Sequence, residues 1–102
     1  LIPVDAVAVT QPLLGAVQSH DASRVRALLA AGADANTAEA DGTTPLHWAA
    51  YYGNAALVER LLRAEAKPDT HNDYGSSPMA EAATTGNLDV LELLLRVKAA
   101  QL

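Results

Sequence analysis

The feature that most constrains this chain is a repeat. Displaced against itself by 33 residues, the sequence superimposes Pro12, Pro45 and Pro78, then Leu13, Leu46 and Met79, then Ala16, Ala49 and Ala82. Further along, Val25, Val58 and Leu91 coincide, as do Leu28-Leu29, Leu61-Leu62 and Leu94-Leu95, and last Ala33, Ala66 and Ala99. A fixed period of this size marks a stack of like supersecondary units, none of which buries its apolar face alone. Half of the 102 residues are apolar, which excludes a disordered chain, and phenylalanine is absent. The core is therefore thin, helical and built from alanine and leucine.

The middle copy, DGTTPLHWAAYYGN at residues 41–54, shows the local logic most clearly. Asp41-Gly42 is a tight-turn dipeptide in which glycine supplies positive φ at little steric cost. Thr44 offers a side-chain oxygen as a helix cap, and Pro45 suits the first helical position, where an amide hydrogen has no partner. Leu46, Ala49 and Ala50 recur at three- and four-residue spacing and so share one narrow apolar face. Gly53 ends the helix by entering the left-handed region. A first helix over about 45–52 and a second over about 55–64 follow. Glu65 holds the stop position that suits glycine, at a cost on the order of 1 kcal/mol.

The other copies vary this plan. In the first, Gln11 stands at the threonine cap, Leu14 replaces the histidine and His20 replaces the stop glycine. Asp21 then caps a second helix that reaches about Ala31, with Gly32 as its stop. In the third, Ser77-Pro78 repeats the cap and proline, the first helix runs to about Thr85, and Gly86 stops it. Its second helix spans 88 to about 98. Between the pairs, residues 33–43 and 67–76 form fingers, the latter around the turn Asn72-Asp73-Tyr74-Gly75.

TPLHWAA, Gly53, Leu61-Leu62 and AAGADAN together resemble the ankyrin repeat, over roughly residues 10–102. The resemblance implies an all-α fold: an α-solenoid of ankyrin repeats, with antiparallel helix pairs and short β-hairpin-like fingers. It divides the chain into an N-terminal arm (1–10) and a repeat domain (11–102), with repeats near 11–38, 39–71 and 72–102. It also implies that His47 is structural, its ring bonding neighbouring turn backbone. The repeat style is similar to that of bacterial ankyrin proteins, some of them exported. A chain that begins LIPVDAVAVT is expected to be a processed or excised product, which leaves cytoplasmic, periplasmic and secreted locations open.

Charge and motif content narrow the function. Twelve acidic residues against seven basic ones give a net charge of -5. That is a poor footprint for nucleic acid or an anionic membrane and a better one for a basic partner. Without cysteine there is no disulfide or zinc-thiolate site. His20, His47 and His71 form no paired-ligand pattern, and no glycine-rich phosphate loop is present. Ser19-His20-Asp21 spells a triad only in letters, because adjacent residues at a helix end point apart. Asp69 and Asp73 lack calcium-loop spacing. The expectation is a non-catalytic protein with no cofactor and no metal.

The four aromatic residues carry the positive signal. Trp48, Tyr51 and Tyr52 lie along one short helix and Tyr74 at a finger tip, none at an inward repeat position. By resemblance, first helices and finger tips form the concave binding surface, and tryptophan and tyrosine are the residues most enriched at binding hot spots. Carried over position by position, the contacts are Gln18, Ser19, Ala40, Asp41, Thr43, Trp48, Tyr51 and Tyr52, then Asp73, Tyr74, Ser76, Glu81, Thr84 and Thr85. The alternative for Trp48 is packing in the groove. The surface so defined is aromatic in the middle and acidic at its edges, suited to a basic or amphipathic protein segment.

A rival reading concerns the last helix. Besides the inward Leu91, Leu94 and Leu95, it carries Val90 and Leu93 where the first repeat has Arg24 and Ala27. A terminal repeat should turn a polar face outward. An apolar one predicts either a fragment of a longer array or weak self-association through Val90, Leu93 and Leu102.

Overall fold

The computed structural model describes residues 12–100. Among these residues six helices follow one another in three pairs: α1 (Pro12–Gln18) with α2 (Ala22–Ala30), α3 (Pro45–Tyr52) with α4 (Ala55–Arg63), and α5 (Pro78–Thr85) with α6 (Leu88–Ala100). Within the stack α3 packs on α1 on one side and, most extensively, on α5 on the other, while α4 packs on α6. The arm (1–10), Gln11 and Leu102 fall outside the described residues.

The caps form as the sequence predicts. Thr44 Oγ1 accepts from His47 N–H while His47 Nδ1 accepts from Thr44 N–H, so the two close a reciprocal capping box. Asp21 and Ser77 likewise accept from the amides of Arg24 and Ala80, and Asn54, a cap the sequence reading did not name, accepts from Leu57 N–H. Gly53 and Gly86 stop α3 and α5 at φ 71° and 74°. His20 and Glu65 take the same left-handed conformation without glycine's freedom, at φ 61° and 70°.

The fingers close as tight turns, with no strand among the described residues. Each tip is fastened by the same two backbone bonds one repeat apart. Glu39 N–H donates to Thr43 carbonyl and Gly42 N–H to Glu39 carbonyl, as Asn72 N–H does to Ser76 and Gly75 N–H to Asn72, all at 2.9 Å. One finger then leans on the next through Asp73 N–H to the Asp41 carbonyl at 2.7 Å.

The core runs continuously from Leu13 and Val17 through Leu46, Val58 and Leu61 to Val90 and Leu94. Here the expectation for the last helix is corrected. Val90 is fully buried and Leu93 is half-buried against the core, so neither belongs to an outward face. Leu95, expected inward, is 50% exposed, and Leu88 is 75% exposed. Leu88 and Leu95, two turns apart, form the outward stripe, with Leu91 between them half-buried against the core. With no further helix pair against α6 among the described residues, this stripe is the side of the helix left uncovered.

Candidate partner-binding face

The first helices and finger tips meet around His47. Its Nδ1 accepts from the Thr44 amide, which leaves the proton on Nε2, and Nε2 donates to the Ser76 carbonyl at 2.9 Å. The buried ring thereby ties the start of α3 to the next finger, as the resemblance implies. Asn72 does the same from the other side. Its amide donates to Thr43 Oγ1 at 3.2 Å, while its carbonyl oxygen accepts from the amides of Tyr74 and Ser76. Asp41 Oδ1 accepts from Thr43 N–H at 2.9 Å, and its bonds to the Thr43 backbone and hydroxyl hold its carboxyl below the ordinary 3.8.

These ties shape a hollow of about 330 Å³, lined by Asp41, Thr43, His47, Trp48, Tyr51, Asn72, Tyr74 and Glu81. Six of the residues singled out in the sequence thus line one hollow: Asp41, Thr43, Trp48, Tyr51, Tyr74 and Glu81. Trp48 and Tyr51 meet edge to face, with ring centroids 6.3 Å apart and planes at 89°. Tyr51 is 50% and Tyr74 81% exposed. Glu81 Oε1 accepts from Ser76 Oγ at 2.6 Å, which fixes that carboxylate at the rim.

The remaining candidates fall elsewhere. Tyr52 is half-buried between Trp48, stacked at 5.8 Å, and His20, at 4.3 Å. Burial foremost, with Tyr51 and Glu39 nearby, raises its hydroxyl pKa above the ordinary 10. It packs the first repeat onto the second and does not line the hollow. Ser76 supports the hollow from behind, Asp73 and Thr84 are exposed beyond it, and Thr85 Oγ1 donates back to the Glu81 carbonyl. Of the letters that spell a triad, Ser19 Oγ donates to the Ala16 carbonyl, His20 meets Tyr52 with its ring tilted, and Asp21 caps α2. Each is turned to a different partner.

Two residues that the sequence reading did not single out matter. Glu39 accepts both from the Trp48 indole N–H and from Gln18 Nε2, so it clamps the indole and joins the first finger to α1. Asn72 closes its own finger and grips the previous one. The available signal was register, since Glu39 and Asn72 stand one repeat apart at the same finger position.

Charge is sorted between faces. All seven lysines and arginines lie on the second helices or, for Lys67, just past one. The first helices and finger tips carry Glu39, Asp41, Asp73 and Glu81 and no lysine or arginine. The other described acids equal the seven bases in number, so the finger-tip face holds the excess. A larger hollow of about 450 Å³ lies on the opposite side between α2 and α4, lined by Arg26, Glu59, Arg60 and Arg63. It is a cleft left where these helices splay, without aromatic residues, and Glu59 there already pairs with Arg63. The aromatic hollow is the better candidate.

Three stacked helix pairs with capped first helices and hydrogen-bonded fingers define an α-solenoid repeat protein. A model of ankyrin repeats in three copies matches residues 13–101, and the chain belongs to the ankyrin-repeat family. Proteins of this family are in general protein–protein interaction modules and typically non-catalytic. No curated protein matches the chain. Among the described residues, no group of three or more histidine, aspartate or glutamate side chains is arranged to hold a metal, and no helix is long and apolar enough to cross a membrane.

Proposed function

We propose that this protein binds a partner protein on the face formed by its first helices and finger tips, without catalysis, and that the recognised segment is basic or amphipathic. The observation that carries this is the coincidence of the unbalanced negative charge with exposed aromatic rings on one face. Rings supply contact area at low entropy cost, and a matching positive segment is steered to the acidic rim. The hydrogen bonds through His47 and Asn72 hold the fingers in place before binding, which limits the ordering cost of association.

The test is affinity capture from the source organism's lysate with the wild type and with a folded Tyr51→Ala, Tyr74→Ala double variant. A protein retained by the first and lost by the second supports the reading. Identical lists overturn it.

A second reading has its own observation. Met79, Ala83, Leu91 and Leu95 stand one repeat beyond Leu46, Ala50, Val58 and Leu62, residues of the middle repeat that lie against its neighbours. That end face is suited to seat another copy or a further helix pair. Concentration-dependent association abolished by Leu95→Glu supports it, and a strict monomer at high concentration rules out self-association.

A further inference from the structure

The hollow itself says more about the partner than the face around it, and the following rests on the reading of that face as a protein-binding surface. Its polar lining is unequal in what it has to offer. The Trp48 indole N–H is given to Glu39, the His47 Nε2 proton to Ser76, and the Asn72 amide to Thr43. The indole and imidazole N–H groups of the lining are therefore engaged within the protein, and the Asn72 amide spends one of its two donors there. Acceptor capacity remains: Asp41 bonds the Thr43 amide and hydroxyl and Glu81 uses Oε1 on Ser76, while a carboxylate offers about four lone-pair sites. The charged acceptors of the lining favour a group that brings donors and positive charge.

The walls narrow the choice. Trp48 and Tyr51 stand at right angles, and the exposed Tyr74 of the finger lines the same hollow. Aromatic faces attract cations, and a guanidinium is flat enough to lie on a ring while its fork of N–H groups reaches in plane to a carboxylate. An ammonium is a compact, strongly hydrated charge that gives up more water to enter such a place. A hollow of about 330 Å³ lies at the small end of ligand pockets, sized for one long side chain rather than a helix. We infer that the hollow between Trp48, Tyr51 and Tyr74 is a socket for one arginine side chain of the partner, its guanidinium on the aromatic walls and its N–H groups directed to Asp41 and Glu81.

Trp48 is the single tryptophan of the chain, so its fluorescence reports on this socket alone. The full chain is titrated with N-acetylarginine amide, N-acetyllysine amide and N-acetylcitrulline amide, the last having the arginine shape without its charge. The expected result is a saturable change with the arginine probe, binding about tenfold weaker for lysine, and no saturation with citrulline. Glu81→Gln, which preserves side-chain shape, weakens the arginine probe by about tenfold, and Tyr74→Ala, an exposed side chain, weakens it without moving the melting temperature. Equal responses to arginine and citrulline, equal responses to arginine and lysine, or no response at all each overturn the socket. Capture separates this from the broader reading: a partner kept by Glu81→Gln but lost by the Tyr51→Ala, Tyr74→Ala variant overturns the socket and leaves the binding face standing. A partner kept by both variants overturns both.

Discussion

The middle and third repeats are written on one plan and end in different environments. Leu46, Ala50 and Val58 are completely buried. Their counterparts one repeat on, Met79 and Leu91, are half-buried, and Ala83 is exposed. The stop glycines make the same point. Gly53 and Gly86 have nearly the same φ, yet a Cβ on Gly53 would collide with the Asn87 side-chain amide, while one on Gly86 would meet nothing within 4 Å. An identical local signal therefore carries different energetic weight according to what stacks beyond it. In a solenoid each unit is stabilised by its neighbours, and the last unit has one fewer.

The largest effects test this asymmetry in the core. Leu46→Ala and Leu61→Ala each leave a cavity in a fully packed site and are expected to cost about 2–5 kcal/mol. Against the 5–15 kcal/mol typical of whole domains, that is a large share of the total. Met79→Ala is expected to cost less than half as much as Leu46→Ala, because the methionine is already in partial contact with water. Thermal or urea unfolding checks this, and equal losses at Leu46 and Met79 would break the comparison.

Next come the stops. Gly86→Ala carries only the penalty of a side chain at positive φ, about 1–2 kcal/mol. Gly53→Ala adds a collision with the end of the Asn87 side chain, which can swing away only by giving up its hydrogen bond to Thr85 Oγ1, and is expected to cost up to about 1 kcal/mol more. The difference between their midpoints in urea is the measurement. A smaller and opposite effect belongs to the two stops that are not glycine. Glu65→Gly relieves backbone strain at an exposed side chain and is expected to stabilise by up to about 1 kcal/mol. His20→Gly relieves the same strain but loses the ring contact with Tyr52, so its melting temperature should barely move.

The smallest effect compares the two finger tips. The tip at Glu39–Thr43 depends on the Asp41 carboxylate, whereas the tip at Asn72–Ser76 is held by an uncharged amide. Asp41 has a folded pKa below 3.8, so its contribution is fully present above that value and is lost as pH falls through the lowered one. Acid should therefore loosen the Thr43 amide before the Ser76 amide in hydrogen exchange, and Asp41→Asn should remove the difference. Simultaneous loss would show that the fingers respond to acid as one body.

Much of this architecture is legible in single residues. Thr44-Pro45, Ser77-Pro78, Gly53 and Gly86 act through backbone geometry and hydrogen bonds within a few positions, so their consequences are local and hold in all the contexts seen here. Burial is different, because a register position names a direction but not its contents. Val90 and Leu95 exchanged their expected roles for that reason: the side of α6 against the preceding repeat is filled, and the side beyond it is not. Among the site residues, exposure of Tyr51 and Tyr74 followed from their absence from the inward register. The wedging of Tyr52 against His20 did not, since it depends on the first repeat lying close enough for two rings to touch.

By itself the sequence determined a three-unit helical stack, its caps, its stops and the acidic, aromatic character of one face, because periodicity and capping are short-range properties. Only the tertiary structure decided that Asp41, Trp48, Tyr51, Tyr74 and Glu81 enclose a single hollow, that Glu39 and Asn72 hold it in shape, and which leucines of α6 meet water. Those outcomes depend on distances between residues up to 40 positions apart along the chain. Such distances are set by how closely alanine-faced helices pack, and no single repeat encodes them.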